Sequence, residues 1–214
     1  MTPNPALPNL KKLVPMEILL ATTNLHKIRE FKEMCKAFAH LEILSLHQFP
    51  AYMCPEEVGT NFKENAISKA EHAAKHLNRW VLADDSGLVV PRLSGKPGIY
   101  SRRFAGLEAT DEENRKKLLL EMRQLINKED RTAYYECCLA LSSPTGLQKC
   151  VQGICEGFIL NEARGRNGFG YDSLFVKNDY EKSFAEIDEA VKNRISHRRK
   201  AFERLSAFLE NLRD

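Results

Sequence analysis

The 214-residue sequence lacks the motifs that most readily assign a chain to a class. It has no C-x-x-C pair, no Walker A loop of the form G-x-x-x-x-G-K-[ST], no internal repeat and no low-complexity tract. It also has no apolar run long enough for a signal peptide or a membrane span, so we expect a cytoplasmic protein without a membrane partner. These absences exclude a P-loop and a repeat architecture.

An excess of charge of one sign is also missing. The chain has 32 lysines and arginines against 29 acidic residues, which gives a net charge of +3, and the basic residues are spread along its length. Proteins that bind polymeric nucleic acid usually collect basic residues in one block or patch. We therefore expect no polymeric nucleic acid among the partners.

The six cysteines do not form a disulfide framework. Cys137 and Cys138 are adjacent, so in a strand they would point to opposite faces. A chain of this length can bury most of its surface without a disulfide or a structural metal. We interpret the cysteines as reduced core residues of a cytosolic protein.

The chain divides into a short leading segment and one domain. Residues 1–15 (MTPNPALPNLKKLVP) are rich in proline, and we predict a flexible N-terminal extension there. Residues 16–214 have the length of one large domain or of two small lobes that share a core. We predict a single two-lobed domain over this range.

Hydrophobic spacing alternates between the strand and helix periods along the domain. Predicted strands cover residues 16–22, 41–45, 81–84, 131–142, 149–159 and 174–176, and a further strand begins at Leu88. Predicted helices begin at His26, at Asn61, at the Thr110-x-x-Glu113 capping box, with a stripe that runs to Ile126, and at Ser196. The S-P-T-G turn between the two long strands favours an antiparallel pair, so the pattern predicts an α/β fold with a mixed sheet.

The first candidate site is the segment Thr22-Thr23-Asn24-Leu25-His26-Lys27, between a predicted strand and a predicted helix. Backbone N–H groups and the helix dipole at such a turn favour an anion, and Lys27 adds a positive charge suited to phosphate. Polar residues before a helix are also the usual helix caps. The segment alone leaves both interpretations open.

The second candidate site is a set of acidic residues. Glu56 and Glu57 lie in a predicted loop, and Asp84-Asp85-Ser86-Gly87 is predicted to end a strand. Carboxylates at strand ends are a typical way to hold Mg²⁺, which keeps several waters and bridges to substrate phosphates. The alternative is that D-D-S-G is a tight turn with solvated acids.

The predicted helix that begins at Asn61 carries two pairs of polar residues at a spacing of four. Asn65 and Lys69 reach the same surface, although a solvated lysine is the simpler interpretation. His72 and His76 have the spacing of metal ligands but lack an obvious third ligand. We interpret the two histidines as a solvated helix face.

Two segments late in the chain offer groups suited to a nucleoside. In the loop 168–172, the Phe169 ring could stack on a base and Asp172 could accept from base N–H groups. His197 and Arg198 lie in the first turn of a predicted helix, where the dipole disfavours positive charge. Their position indicates a purpose other than local stability.

The order of these segments is more specific than any one of them. The chain reads T-T-N-L-H-K, P-E-E-V-G-T-N-F-K-E-N-A-I-S-K-A, A-D-D-S-G-L, G-K-P-G-I-Y-S-R-R-F-A-G, G-F-G-Y-D-S-L-F and I-S-H-R in that order. From about Met16 to its end it resembles the inosine/xanthosine triphosphate pyrophosphatase family. The resemblance implies an elongated α/β fold, with a mixed twisted sheet, flanking helices and two lobes around a central cleft, usually as a homodimer.

The resemblance also implies an activity and a set of site residues. Family members hydrolyse the non-standard purine nucleotides ITP, dITP and XTP between the α- and β-phosphates, giving a monophosphate and pyrophosphate, with Mg²⁺. Matching positions imply that Thr22, Thr23, Asn24, Leu25, His26, Lys27 and Lys69 bind the triphosphate, that Ser86 contacts substrate, and that Phe169, Gly170, Tyr171, Asp172, Lys192, His197 and Arg198 form the nucleoside pocket. Glu56 and Asp85 would hold the Mg²⁺, and Asp85 would also be the base for the attacking water.

Three positions depart from the pattern of the family. Thr23 and Asn167 each stand in place of a usual glycine, and Ser173 replaces a usual proline. Asn can adopt a positive φ, so we expect the loop around Asn167 to keep its shape. None of the three removes a charge that the chemistry requires.

Two other functions remain as alternatives. A related house-cleaning pyrophosphatase for other modified nucleotides would keep the acids and lysines and differ around Phe169 and His197. A non-catalytic nucleotide- or RNA-binding protein would not need Glu56 and Asp85 together near phosphate-binding lysines.

Overall fold

The computed structural model describes residues 15–212 as a mixed α/β structure. Its strands are β1 (Met16–Leu20), β2 (Leu41–Ser45), β3 (Trp80–Val89), β4 (Thr132–Ser143), β5 (Gly146–Ile159) and β6 (Phe175–Lys177). Its helices are α1 (Leu25–Cys35), α2 (Phe62–Leu77), α3 (Asp111–Glu121), α4 (Glu189–Ile195) and α5 (His197–Asn211). The predicted extension 1–15 lies outside the described residues except for Pro15, so the extension and the domain boundary stay predictions.

All six strands belong to one sheet, in the order β2-β1-β3-β4-β5-β6. Strand β1 pairs in parallel with β2 and β3, and the remaining pairs are antiparallel. The two parallel connections contain α1 and α2, because parallel neighbours need a long crossover. The predicted mixed sheet is confirmed, including the antiparallel pair of long strands β4 and β5.

Strand β3 corrects the prediction for the acidic segment. The prediction that Asp84-Asp85-Ser86-Gly87 ends a strand is wrong, because β3 continues through these residues to Val89 and pairs with β4 along this stretch. Gly87 lies inside the strand. The position needs a glycine because a Cβ there would be 2.4 Å from Ser101 Oγ and 2.6 Å from the Gly98 carbonyl oxygen. The glycine allows a neighbouring segment to approach closely and does not make a turn.

The side chains of β3 alternate between the two faces of the sheet. Leu82 packs in a hydrophobic cluster with α1 and α5, whereas Ala83 packs with α2 on the opposite face. Asp84 therefore faces α1 and α5, and Asp85 faces α2. Pairing of β3 with β1 stops at Leu82, so both aspartates lie beyond the end of β1.

The hydrophobic core is divided between the two ends of the long strands. Two clusters cover opposite faces of the sheet near β1, and a third surrounds α3, β6 and the far ends of β4 and β5. The two-lobed architecture stays a prediction. Cys137 and Cys138 fall in the first and second clusters, as predicted, and all six cysteines are free thiols. Within residues 15–212, no helix is long and apolar enough to cross a membrane.

Local capping signals fix most helix starts. Side-chain caps come from Asn24 for α1, Asn61 for α2 and Ser196 for α5, and Thr110 forms the predicted capping box of α3. Helix α3 ends at Glu121, so the predicted continuation of its stripe to Ile126 is wrong. Helix α4 was not predicted, because it has only seven residues and a single apolar pair at helical spacing, Val191 and Ile195.

Candidate active site

One large cavity opens beside the part of β3 that extends past β1. Its volume is about 1300 Å³, and its lining comes from the N-terminus of α1, the loop before α2, β3, the loop 98–107, the loop before β6 and the α4–α5 region. All seventeen residues that the sequence assigned to substrate, metal or catalysis line this cavity: Thr22, Thr23, Asn24, Leu25, His26, Lys27, Glu56, Lys69, Asp85, Ser86, Phe169, Gly170, Tyr171, Asp172, Lys192, His197 and Arg198. Their individual roles stay predictions.

The segment 22–27 combines a helix cap with a positive charge. Asn24 Oδ1 accepts from the backbone N–H groups of His26 (2.9 Å) and Lys27 (3.2 Å), and the Asn24 N–H donates to Thr22 Oγ1 (3.1 Å). The cap interpretation therefore holds, and these N–H groups already have acceptors. Lys27 Nζ forms an ion pair with Asp84 at the wall of the cavity, so the positive charge of this segment is in place for an anion.

Asp84 is a buried anion that holds several elements together. Its carboxylate accepts from Lys27, from Arg198 Nε (2.8 Å), from Ser86 Oγ (2.8 Å) and from Cys137 Sγ (3.1 Å). Burial alone would raise the pKa of Asp84, but the charges of Arg198 and Lys27 outweigh it and hold this pKa well below its usual value. Sequence analysis considered Asp84 only as one of the acids that could hold Mg²⁺ and did not indicate this network, because its partners come from distant elements.

Asp85 has the opposite electrostatic balance on the other face of β3. Its two oxygens accept from Lys69 Nζ (3.0 Å) and from Asn65 Nδ2 (3.1 Å) of α2. Burial raises the pKa of Asp85, and the nearby Glu57 charge adds to this, while Lys69 and Lys27 only partly offset the increase. A carboxyl with a raised pKa in a cavity is a typical acid–base group.

Lys69 links Glu57, in the loop before α2, to β3. Its Nζ donates to Asp85, to Glu57 Oε1 (2.9 Å) and to the Asp84 carbonyl oxygen (3.0 Å). Burial would lower the pKa of Lys69, but Asp85 and Glu57 outweigh it and raise this pKa, so the ammonium keeps its charge. Lys69 is thus a fixed cation, and the interpretation of a solvated lysine is wrong.

The loop before β6 presents the Phe169 ring on a rigid backbone. Asp172 Oδ2 accepts from the Phe169 N–H (2.9 Å) and from Lys192 Nζ (2.6 Å), and Lys192 Nζ lies 4.6 Å from the ring centroid of Phe169. Gly168 has a φ of +75°, and a Cβ there would meet Asp172 Oδ2 at 2.1 Å. The positive-φ residues of this loop are glycines, so Asn167 does not use the positive φ that asparagine can adopt.

Helix α3 holds this loop through hydrogen bonds to Gly170, which the sequence did not indicate. The Gly170 N–H donates to Asp111 Oδ2 (2.7 Å), and Arg115 Nη1 donates to the Gly170 carbonyl oxygen (2.7 Å). Both polar groups of the Gly170 residue are thereby held by the first turn and a half of α3. The Tyr171 hydroxyl also donates to the Ser101 carbonyl oxygen (2.9 Å).

His197 and Arg198 differ in whether their side-chain nitrogens already have hydrogen-bond partners. Arg198 is 1% exposed, and its nitrogens donate to Asp84, to Glu30 and to Ser86 Oγ (2.9 Å). The His197 ring stacks on Tyr135 with centroids 4.7 Å apart, and burial, with the Arg198 charge, lowers the pKa of His197 well below its usual value. The neutral ring leaves His197 Nδ1 buried without a hydrogen-bond partner among the described residues.

The acidic residues of the cavity suit Mg²⁺. Within residues 15–212, no three His, Cys, Asp or Glu side chains are grouped to hold a metal by themselves. Mg²⁺ is instead commonly held by one or two carboxylates together with substrate phosphates and waters. Glu56 is exposed and has no ion pair in the described part of the chain, whereas Glu57 is tied to Lys69 and to Arg103 (3.1 Å). Glu56 and Asp85 therefore fit the donor set that Mg²⁺ needs.

A cavity that combines Asp85 and Lys69 with the aromatic ring of Phe169, on a mixed α/β sheet, is the kind of site that suits a nucleotide. Comparison with known proteins gives the particular family. The sequence profile of the Ham1 family matches residues 18–208, and the chain belongs to this family.

Named relatives and solved structures agree with this assignment. The chain is 51% identical to the dITP/XTP pyrophosphatase of Chlamydia caviae over 197 residues, which cover 92% of this chain and 96% of that protein. The HAM1 protein from Coxiella burnetii has a TM-score of 0.83 at 38% identity and covers 92% of this chain and 100% of its own. The Staphylococcus aureus Ham1 protein has a TM-score of 0.79 at 42% identity, with coverages of 91% and 98%. The family inferred from the order of motifs is confirmed.

Proposed function

We propose that this chain is a dITP/XTP pyrophosphatase, which hydrolyses dITP, ITP and XTP between the α- and β-phosphates to the monophosphate and pyrophosphate. The observation that carries the proposal is the pairing of Asp85, a carboxyl with a raised pKa, with the fixed cation Lys69 in one cavity. The 51% identity to a protein named for this activity supports the same substrates.

The phosphate end of the cavity would balance the charge of the triphosphate. Lys27 and Lys69 provide two ammonium groups that stabilise negative charge developing on the leaving pyrophosphate. Asp85 would take the proton of the attacking water, since a carboxyl with a raised pKa accepts a proton more readily than an ordinary aspartate. Mg²⁺, held by Glu56 and Asp85, would add Lewis-acid stabilisation of the phosphate oxygens.

The nucleoside end would select purines with an oxygen at position six. The Phe169 ring supplies a stacking surface, and the unpartnered His197 Nδ1 supplies a hydrogen-bonding group. If Nδ1 carries the proton, it donates to the six-oxygen of hypoxanthine or xanthine, whereas the six-amino group of adenine would leave it unpaired. A buried unpaired donor costs about 1–3 kcal/mol, which corresponds to roughly ten- to a hundredfold discrimination.

The test is a panel of nucleoside triphosphates with Mg²⁺, scored for pyrophosphate against orthophosphate. We expect pyrophosphate from dITP, ITP and XTP, much less from ATP, and almost none from the Asp85→Asn variant with any substrate. Preference for other modified bases would instead identify a related house-cleaning pyrophosphatase. Binding of the nucleotides without turnover would identify a nucleotide-binding protein.

We also propose that the enzyme is a homodimer that acts on the cytoplasmic nucleotide pool. Light scattering coupled to size exclusion would test the dimer directly. A monomeric mass across the working concentration range would remove this part of the proposal.

A further inference from the structure

His26 stacks directly on the ring that the proposed function assigns to the purine base. The ring centroids of His26 and Phe169 are 4.8 Å apart with an interplanar angle of 16°. His26 lies in the first turn of α1, within the segment that approaches the phosphates, while Phe169 belongs to the loop before β6. The contact therefore joins the phosphate end of the cavity to its nucleoside end.

Local structure does not require this contact. The His26 backbone N–H is satisfied by Asn24, but its imidazole ring is exposed and makes no hydrogen bond within residues 15–212. Stacking on Phe169 is the interaction that places the ring. Covering an aromatic face that would otherwise meet water is a sufficient physical reason for the stack.

The spacing leaves no room for a base between the two rings. Stacked aromatic atoms approach to about 3.5–4 Å, so a base inserted between two rings needs them about 7 Å apart. The centroids of His26 and Phe169 are 4.8 Å apart. A base can use this face of Phe169 only after His26 has left it.

We propose that His26 covers the base-stacking face of Phe169 in the free protein and that the purine base displaces it. This inference rests on the proposed function, because it takes Phe169 as the stacking partner of the base. His26 then sets the affinity for the nucleoside part of the substrate and does not bind the triphosphate. Its departure also links the arrival of the base to the segment that carries Lys27.

The kinetic test compares His26→Ala with His76→Ala. His76 is a matched control because it is also exposed and stacked, on His72 with centroids 3.9 Å apart, and it lies outside the cavity. We expect His26→Ala to lower the KM for dITP and XTP about two- to tenfold, because the base no longer has to break an aromatic pair and this factor corresponds to the free energy of one such pair. Inhibition by tripolyphosphate, which has no base, should stay as in the wild type, and His76→Ala should change neither quantity.

Two results would overturn the inference. A rise in the KM for dITP in His26→Ala, with tripolyphosphate inhibition unchanged, would mean that His26 holds the base and does not compete with it. Weaker inhibition by tripolyphosphate in His26→Ala would mean that this residue binds phosphate.

Proton NMR gives a readout that does not depend on turnover. Stacking over Phe169 shifts the imidazole C–H resonances of His26 upfield, and we expect Phe169→Leu to remove this shift. Adding dIMP to the wild type should move the same resonances downfield, because the base replaces His26 on the Phe169 ring. Unmoved resonances at saturating dIMP would contradict the displacement. Absence of pyrophosphate release by the wild type would count against the proposed function alone.

Discussion

Asp84 and Asp85 are neighbours in sequence, yet their carboxyls have opposite pKa shifts. They lie on opposite faces of β3, so Asp84 meets Arg198 and Lys27, whereas Asp85 meets Lys69 and Asn65. The two cations hold the pKa of Asp84 down against burial, and burial prevails at Asp85. Carboxyls with divergent pKa values can serve different purposes, so we expect Asp84 to keep its charge and Asp85, the proposed base, to exchange a proton.

The first prediction concerns Asp84→Asn and Asp85→Asn. Asp84→Asn should lower the free energy of unfolding by about 3–5 kcal/mol at pH 7, because it removes one partner of a buried ion pair. Since the pKa of Asp84 is depressed, its stabilisation is present above the ordinary aspartate pKa and is lost as pH falls toward the folded value. Urea unfolding of wild type and variant should therefore differ at pH 7 and converge in acid. A difference in unfolding free energy that stays the same at all pH values would contradict an origin in the charge of Asp84.

Asp85→Asn should fold with at least the stability of the wild type at pH 7. Because the pKa of Asp85 is raised, this carboxyl stabilises the folded protein only while it is protonated. That contribution to the free energy of unfolding is lost as pH rises through the folded pKa, so the substitution removes no stabilisation at neutral pH. The rate should fall by about 10²–10⁴, as expected for a lost general base. In the protein without Mg²⁺, the carboxyl of Asp85 should titrate above the ordinary aspartate pKa, as carbon-13 NMR can measure, and a titration at or below that pKa would contradict this electrostatic balance.

The second prediction concerns the reading of the base by His197. Sequence reasoning gave this task to Arg198 as well, but the described contacts engage the Arg198 nitrogens with Asp84, Glu30 and Ser86. His197→Phe keeps a ring against Tyr135 and removes Nδ1, so kcat/KM for ITP should fall about ten- to a hundredfold. The value for ATP should change much less, and the ratio of the two should narrow. Equal proportional losses for ITP and ATP would assign His197 to the fold.

The third prediction uses the adjacent Glu56 and Glu57 as a matched pair. Glu56→Gln removes a proposed metal ligand, so the Mg²⁺ concentration for half-maximal activity should rise roughly ten- to a hundredfold. Glu57→Gln keeps the proposed ligands and disturbs only its contacts with Lys69 and Arg103, so its Mg²⁺ requirement should stay closer to that of the wild type. If a Mg²⁺ titration shows a larger rise in this concentration for Glu57→Gln than for Glu56→Gln, the ligand would be Glu57.

At the scale of elements, the site depends on contacts between segments that are far apart in the chain. Helix α3 contributes nothing to the predicted set of ligands, yet Asp111 and Arg115 hold Gly170 beside the Phe169 ring. Helices α1, α4 and α5 meet through Glu30, which accepts from Arg198 and from Lys192 (3.3 Å). Burial would raise the pKa of Glu30, but these two cations outweigh it and lower this pKa.

The fourth prediction tests α3 as the support of the Phe169 loop. Arg115→Ala should raise the KM for dITP about two- to tenfold, the worth of one hydrogen bond that positions the ring. Inhibition by tripolyphosphate should not change, since the phosphate end is untouched. Lys116→Ala is the control, because Lys116 is exposed on the same helix and its one ion pair within residues 15–212 is with Glu112. An equal effect of both variants would remove the positioning role of Arg115.

Elements with strong local signals could be predicted from the sequence. The capping box at Thr110, the cap at Ser196 and the strand Leu41–Ser45 agree with the structure because each depends on neighbouring residues. Strand β3 was interrupted in the prediction because Gly87 suggested a turn, and only the approach of Ser101 and Gly98 explains a glycine inside a strand. Such tertiary contacts cannot be read from local spacing.

At the scale of the whole molecule, the fold concentrates the predicted residues in one cavity. The order of motifs was sufficient to predict the family and seventeen residues that line the cavity, and hydrophobic spacing already favoured the mixed sheet. The charge network behind the lining could not be predicted, because Glu30 lies in no motif, and both Asp84 and Glu30 acquire their partners only when α1, α4, α5 and β3 pack. The stack of His26 on Phe169 is invisible in the sequence for the same reason.

The most direct test of the account is the identity of the products from dITP. Wild-type protein with Mg²⁺ should convert dITP to dIMP and pyrophosphate in equal amounts, measured by phosphorus NMR without added phosphatase. Asp85→Asn, at equal folded concentration, should form neither product at a comparable rate. Accumulation of dIDP and orthophosphate, or unchanged turnover in Asp85→Asn, would contradict hydrolysis between the α- and β-phosphates by water that Asp85 activates.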